Sequence, residues 1–226
     1  MLFYYCFISV FFIRFFGQDP STAPRRRPST RWIPTALLQP PPSSSPLAKK
    51  GDSVLDLCCG SGDLAFLLSE KVGPNGQIAA YRQRRRSKLC CKNTKCVEGN
   101  AVELPFFESY FDAITIGYGL TNVVDGSKAM EEMCRVLKKG SKVSVLYFNK
   151  STQPLITLIQ DLMVDYVIVH VASGHGLGSE YGYLKNSIKE YLTGDELEKL
   201  ALEVGFSSAK HFEVGEGIMG NLVATR

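Results

Sequence analysis

Val54-Leu55-Asp56-Leu57-Cys58-Cys59-Gly60-Ser61-Gly62-Asp63 is the stretch that decides the fold. Val54 to Leu57 are apolar around a single acid, as in a buried strand. Gly60 and Gly62 then bracket a tight turn. Leu64, Leu67, Leu68 and Val72 follow at once and fall on one face of a helix. A strand that turns through glycines into a helix makes a cradle for a cofactor. Glycine lets backbone come close to a ligand, and the helix start offers unpaired N–H groups. Asp56, inside the end of the strand, accepts hydrogen bonds and suits a ligand carrying positive charge.

Two cofactors compete for this turn, beside the plainer reading of an ordinary strand–turn–helix. Gly60-x-Gly62-x-x-Ala65 fits the loose dinucleotide fingerprint. The Asp-x-x-x-Gly-x-Gly form starting at Asp56 resembles the first motif of S-adenosylmethionine (SAM) methyltransferases. A dinucleotide site needs an acid ending the second strand, and Arg82 stands there instead. An NAD-dependent oxidoreductase is therefore the last-ranked reading.

The length of 226 residues fits one domain plus tails. Residues 1–48 divide from a folded domain expected over 49–226. Met1 to Phe16 is nearly all apolar and aromatic, slightly short for a membrane span and without the basic leader of a secretory signal. Gln18 to Pro46 is rich in Pro, Ser, Thr and Arg with Asp19 its only acid, a composition that cannot build a core and matches an organelle targeting segment. A membrane anchor through residues 1–16 is the alternative. The net charge is +4, concentrated in Arg25–Arg27 and in Arg82, Arg84, Arg85 and Arg86. No aromatic interleaving or nucleic-acid motif accompanies these clusters, so they read as solvated loops and no nucleic-acid partner is expected. The seven cysteines (6, 58, 59, 90, 91, 96 and 134) are odd in number and contain no Cys-x-x-Cys pair, which argues for a reducing compartment and against a disulfide framework. No nearby histidine completes a zinc set with Cys90, Cys91 and Cys96, so no metal is expected.

Along the folded part, strands are expected at Ser53–Leu57, Gln77–Tyr81, Lys95–Glu98, Phe111–Ile116 and Lys142–Phe148, with closing strands at Ala209–Val214 and Asn221–Thr225. Helices are expected at Asp63–Lys71 and Ser127–Leu137, and after the capping box at Thr193–Glu196 as far as Val204, where Gly205 stops it. Gln153–Val171 is apolar with mixed period, helical at its start. Alternating strands and helices give an α/β fold with a mostly parallel sheet and helices on both faces. Ligands of such sheets sit beyond the carboxyl ends of the strands, which places Gly60, Asn100, Gly117–Leu120 and Phe148–Asn149 around one cleft.

Several further segments point to one family. Leu104-Pro105-Phe106 with Phe111-Asp112 resembles a Leu-Pro-Phe…Phe-Asp signature. Gly117-Tyr118-Gly119-Leu120-Thr121-Asn122-Val123 resembles Gly-Leu-Arg-Asn-Val. Glu132 to Gly140 resembles Glu-Met-x-Arg-Val-Leu-Lys-Pro-Gly, and Tyr181 to Ile188 resembles Tyr-x-Tyr-Leu-x-x-Ser-Ile. Together, in order and over Lys50 to Arg226, they resemble the SAM-dependent quinone C-methyltransferases of ubiquinone and menaquinone biosynthesis, most of all a plant chloroplast branch. The resemblance implies a class I SAM methyltransferase Rossmann-like sheet whose last strand runs antiparallel. It implies SAM as cofactor and a prenylated naphthoquinol, of phylloquinone or menaquinone type, as substrate of C-methylation. It also implies a chloroplast location, with membrane-surface association through the substrate or the apolar start. The residues it assigns to the cofactor are Asp56, Gly60, Gly62, Asn100, Ala101 and Leu104. Those it assigns to orienting substrate are Tyr118, Asn122 and Asn149. No general base is identifiable; His170, His175 and His211 read as surface or packing residues. The apolar stripe Ile156, Ile159, Met163 and Val167 is a slot for the prenyl tail or ordinary core.

The chain departs from the family pattern at Arg82, Asn100 and Tyr147, each in place of an acid, and at Thr121, in place of an arginine. Gln77 to Cys96 is only twenty residues, whereas a strand–helix–strand unit needs about 30. A truncated crossover and weakened SAM binding are therefore expected. The alternative function is a catalytically inactive relative of the fold, or the product of an incomplete gene model.

Overall fold

The computed structural model describes residues 47–59, 62–82, 92–149, 191–214 and 219–226, with Asp63 and Arg82 as backbone only. Strand β1 (Ser53–Leu57) forms because Val54, Leu55 and Leu57 are apolar and buried on both faces of a sheet. It lies between β2 (Gln77–Arg82) and β4 (Phe111–Gly117) and runs parallel to both. Beyond β2 lies β3 (Thr94–Glu98), and beyond β4 lies β5 (Leu137–Phe148), again parallel. The antiparallel pair β6 (Ser208–Val214) and β7 (Met219–Thr225) completes the sheet, with β7 against β5. The seven-stranded order is β3-β2-β1-β4-β5-β7-β6. The chain moves outward from β1 to β3 and then returns to β4, so the order reverses between β1 and β4, the point at whose carboxyl edge such sheets take their ligands.

Three α-helices are described, α1 (Asp63–Val72), α2 (Gly126–Val136) and α3 (Gly194–Glu203), with a single 3-10 turn at Leu120–Asn122. On one face α1 brings Leu64, Leu68 and Val72 onto Val54, Ile78 and Ala80. On the other, Met130 and Met133 of α2 and Leu197 and Ala201 of α3 cover Leu55, Ile114, Ile116 and Val145. Each such valine, leucine, isoleucine or methionine taken fully from water is worth about 1.5–3 kcal/mol. Helix α2 starts at Asp125, whose carboxylate accepts the Lys128 N–H at 2.9 Å. Helix α3 starts at Thr193 with the expected reciprocal capping box, and the chain leaves it through Gly205 at φ 107°.

The main boundary difference is β5, which begins at Leu137 rather than Lys142. Leu137 still pairs with Phe111, the register then slips, and pairing resumes at Ala113–Lys142. The extra residues are held at the far end of the chain: Gly140 N–H donates to the Arg226 carbonyl at 2.8 Å, and Arg226 N–H to that of Ser141 at 3.0 Å. β7 likewise starts two positions early, at Met219, because Met219 and Gly220 pair with both β5 and β6. The expected truncated crossover, the Gln153–Val171 stripe, Cys90, Cys91, His170, His175, the apolar start and Gly60 lie outside the described residues. No helix among the described residues is long and apolar enough to cross a membrane.

Candidate cofactor crevice

The crevice begins with the turn after β1. Cys58 takes a left-handed conformation (φ 58°), and Cys59 N–H donates to the Tyr81 carbonyl at 3.0 Å. Gly62, at φ 87°, is the N-cap of α1 and supplies no side-chain cap, so the first N–H groups of the helix are not claimed by a capping side chain. The positive φ is where glycine is required. Asp56 points to the α1 face and is 1% exposed. The Thr115 hydroxyl, its register partner on β4, donates to Asp56 Oδ1 at 3.3 Å. Asp56 Oδ2 is buried without a hydrogen-bond partner among the described residues. Burial pushes this carboxyl up to about 8, against the smaller opposing pulls of Thr115 and the Ala65 N–H at the start of α1. A buried acid with an unused oxygen is completed by a ligand bringing N–H donors and positive charge, as SAM does with its ammonium and sulfonium. The residues present fit that group. A pyrophosphate would meet like charge here.

The turn after β4 closes against this one. A Cβ on Gly119 would lie 2.3 Å from the Cys58 Cβ, so only glycine lets the two turns touch. Tyr118, also left-handed at φ 54°, sets its ring 4.9 Å from that of Phe148, tilted by 38°, and donates its hydroxyl to the Met219 sulfur at 2.7 Å. The Asn122 amide donates to the Tyr118 carbonyl at 3.1 Å, and the Thr121 hydroxyl to the same oxygen at 3.3 Å. Both side chains thus shape the turn. Asn149, after β5, is 4% exposed and places its amide 3.5 Å from Glu213. Tyr118, Asn122 and Asn149 are therefore brought to one edge, the carboxyl ends of β4 and β5.

The third wall follows β3. Asn100 accepts the Tyr81 hydroxyl on its carbonyl at 3.2 Å and turns its amide oxygen toward its own loop, 3.4 Å from Val102 N–H. Ala101 and Leu104 are buried in the core on the α2 face. Leu104 is gripped through its backbone: its N–H donates to Glu132 Oε2 at 2.7 Å and its carbonyl accepts from Arg135 Nη2 at 2.9 Å. Tyr147 lies on the α3 side of the sheet, with its hydroxyl 2.5 Å from His211 Nδ1 and its ring beside Tyr191. Where the family pattern has an acid, this chain thus has a core tyrosine with a hydrogen-bonded hydroxyl. His211 is half-buried in that pairing, as a packing residue.

Sequence reasoning did not single out Thr115 or the Glu132–Arg135 pair. For Thr115 the sequence shows only a hydroxyl among Ala113, Ile114 and Ile116; that it faces a buried acid appears with the register of β1 and β4. A separate cavity of about 950 Å³ opens at the other edge of the sheet, lined by Ser53, Gln77, Thr94 and Phe111, the first residues of four parallel strands. It lies at the end of the strands opposite Asp56 and the turns after β1 and β4.

The reversed strand order, the antiparallel β7 and an acid-led glycine turn at the carboxyl edge define a class I SAM-dependent methyltransferase. A SAM-dependent methyltransferase from Aquifex aeolicus has this fold, with a TM-score of 0.56 at 19% identity over 78% of this chain and 82% of that one. Residues 44–226 match the ubiE/COQ5 methyltransferase family, and the chain belongs to it. It is 58% identical over 191 residues to the chloroplastic 2-phytyl-1,4-beta-naphthoquinone methyltransferase of Arabidopsis thaliana, covering 79% of this chain and 73% of the relative. It is 38% identical to the 2-phytyl-1,4-naphtoquinone methyltransferase of Nostoc sp., over 79% and 82% of the two chains. The protein is a methyltransferase, and its cofactor is SAM.

Proposed function

We propose that this chain methylates a ring carbon of reduced 2-phytyl-1,4-naphthoquinone, a late step of phylloquinone-type quinone synthesis. The substrate reading is supported by the names of the Arabidopsis and Nostoc relatives. The observation that carries the cofactor half is Asp56, buried beside the glycine turn with Oδ2 unpartnered among the described residues. When bound, SAM supplies a sulfonium methyl open to displacement by an electron-rich ring carbon. The chain's own part is orientation and exclusion of water. Asp56 and the first turn of α1 hold the charged end of the cofactor, with Gly62 beneath it. Asn100, Ala101 and Leu104 form the wall for its base. Tyr118 and Asn122, by fixing the turn after β4, and Asn149, after β5, shape the edge on which the quinol is oriented. Asn100 offers an amide where the family pattern has a carboxylate, and so holds the cofactor less tightly.

A chloroplast location agrees with the relative's name and with the Arg-, Ser- and Pro-rich composition of residues 18–46. A phytyl-bearing substrate brings the chain to a membrane surface while it works. The test is an assay with the full chain, methyl-labelled SAM and chemically reduced 2-phytyl-1,4-naphthoquinone. Ring-methylated, labelled product is expected. Binding of SAM with no transfer to this quinol, and transfer to a quinol lacking the naphthalene ring, would overturn the substrate.

A further inference from the structure

The loop from β3 to β4 carries Asn100, Ala101 and Leu104, yet it contains no helix or regular strand, only an isolated bridge between Asn100 and Glu103. Its internal bonds are few: Glu103 N–H to the Asn100 carbonyl at 3.0 Å and Phe106 N–H to that of Leu104 at 2.8 Å. Pro105 removes a donor from the middle, so Leu104-Pro105-Phe106 presents carbonyls that need outside partners. Helix α2 supplies them. Arg135 donates through Nη2 to the Leu104 carbonyl and through Nη1 to the Phe106 carbonyl, both at 2.9 Å. Glu132 accepts the Leu104 N–H at 2.7 Å and locks the guanidinium at its Nε (2.6 Å) and Nη2 (2.7 Å). Both polar groups of Leu104 are thus held by one ion pair, three residues apart on one helix. The helix is itself fixed at each end, by Asp125 at its start and by Arg226 on the Arg135 carbonyl at 2.8 Å.

We propose that Glu132 and Arg135 are positioning residues for the cofactor: they fix the Asn100–Leu104 loop from behind, at the height where it meets the base of SAM. This rests on the crevice assignment above. Charged hydrogen bonds set the loop more firmly than neutral ones, and the fork geometry is specific to arginine. The pair closes on itself, so it brings no net charge to the crevice. Its loss raises the SAM concentration needed for turnover and leaves the quinol KM unchanged.

The test uses the full chain and the variants Arg135→Met, Arg135→Lys, Glu132→Gln and, as a stability control beneath α3, Leu197→Ala. Calorimetric titration with SAM is paired with thermal melting and with amide exchange over Glu103–Phe107. SAM affinity is expected to fall about tenfold or more in Arg135→Met. Arg135→Lys should restore little, and Glu132→Gln, which keeps one acceptor, should lose less. Exchange over Glu103–Phe107 should quicken in Arg135→Met. Leu197→Ala should melt lower while keeping both the affinity and the slow exchange. Arg135→Met binding SAM as the wild type does, or Leu197→Ala weakening SAM equally, overturns the positioning role and leaves the crevice standing. A wild-type chain that binds no SAM overturns the crevice assignment and this role with it.

Discussion

A carboxyl group at 1% exposure, that of Asp56, is an expensive group to place in a parallel sheet. Its cost to the empty protein can be read through pH. Burial raises its folded pKa from 3.8 to about 8. The protonated side chain therefore lends stability that is fully present below pH 3.8 and is lost as pH rises through about 8. The SAM-free wild type should melt progressively lower between these limits, and Asp56→Asn should remove that component of the slope. An unchanged slope in the variant would show that another group is responsible. Asp56→Asn should also bind SAM at least about tenfold more weakly, since an amide cannot answer a cationic ligand with charge. Asn100 gives the converse prediction. Asn100→Asp restores a charged acceptor and should tighten SAM about tenfold in a calorimetric titration. The strand–turn–helix that carries Asp56 and Gly62 was legible because an acid in an apolar run stands just before a glycine turn. Thr115 was not, because a hydroxyl matters only once the register of β1 and β4 is known.

Among the elements, α2 depends most on residues distant in sequence. Arg226, the last residue, donates to the carbonyls of Arg135 (2.8 Å) and Leu137 (2.6 Å) and to the Ser109 hydroxyl (3.1 Å). A cation at a helix C-terminus meets carbonyls that the helix leaves unpaired. Arg226→Ala should lower stability by about 2 kcal/mol, visible as an earlier urea midpoint with the slope preserved. At α3, Thr193→Ala removes the capping box and should cost about 1 kcal/mol by the same measurement. The α3 cap was readable because its signal is local: a threonine followed three residues later by glutamate. The start of β5 was not. Lys138-Lys139-Gly140-Ser141 has no strand pattern, and its backbone is satisfied by Arg226, a partner no local window contains.

For the whole molecule, the alternation of strands and helices predicted the parallel sheet, and the pair of strands after α3 predicted the antiparallel close. Those features follow from hydrophobic period and chain order, which a sequence displays. The cavity at the amino edge does not follow from either. It is shaped by the turn from Gly73 to Gly76 and by Phe106, which meet only in three dimensions. The two edges make opposite claims on the cofactor, and irradiating the full chain with methyl-labelled SAM, then mapping the labelled peptides, tests them directly. Label is expected on peptides carrying Asp56 or Asn100–Leu104, competed away by unlabelled SAM. Competed label on Gly73–Gln77 or Lys92–Thr94 instead, at the opposite edge, would contradict it.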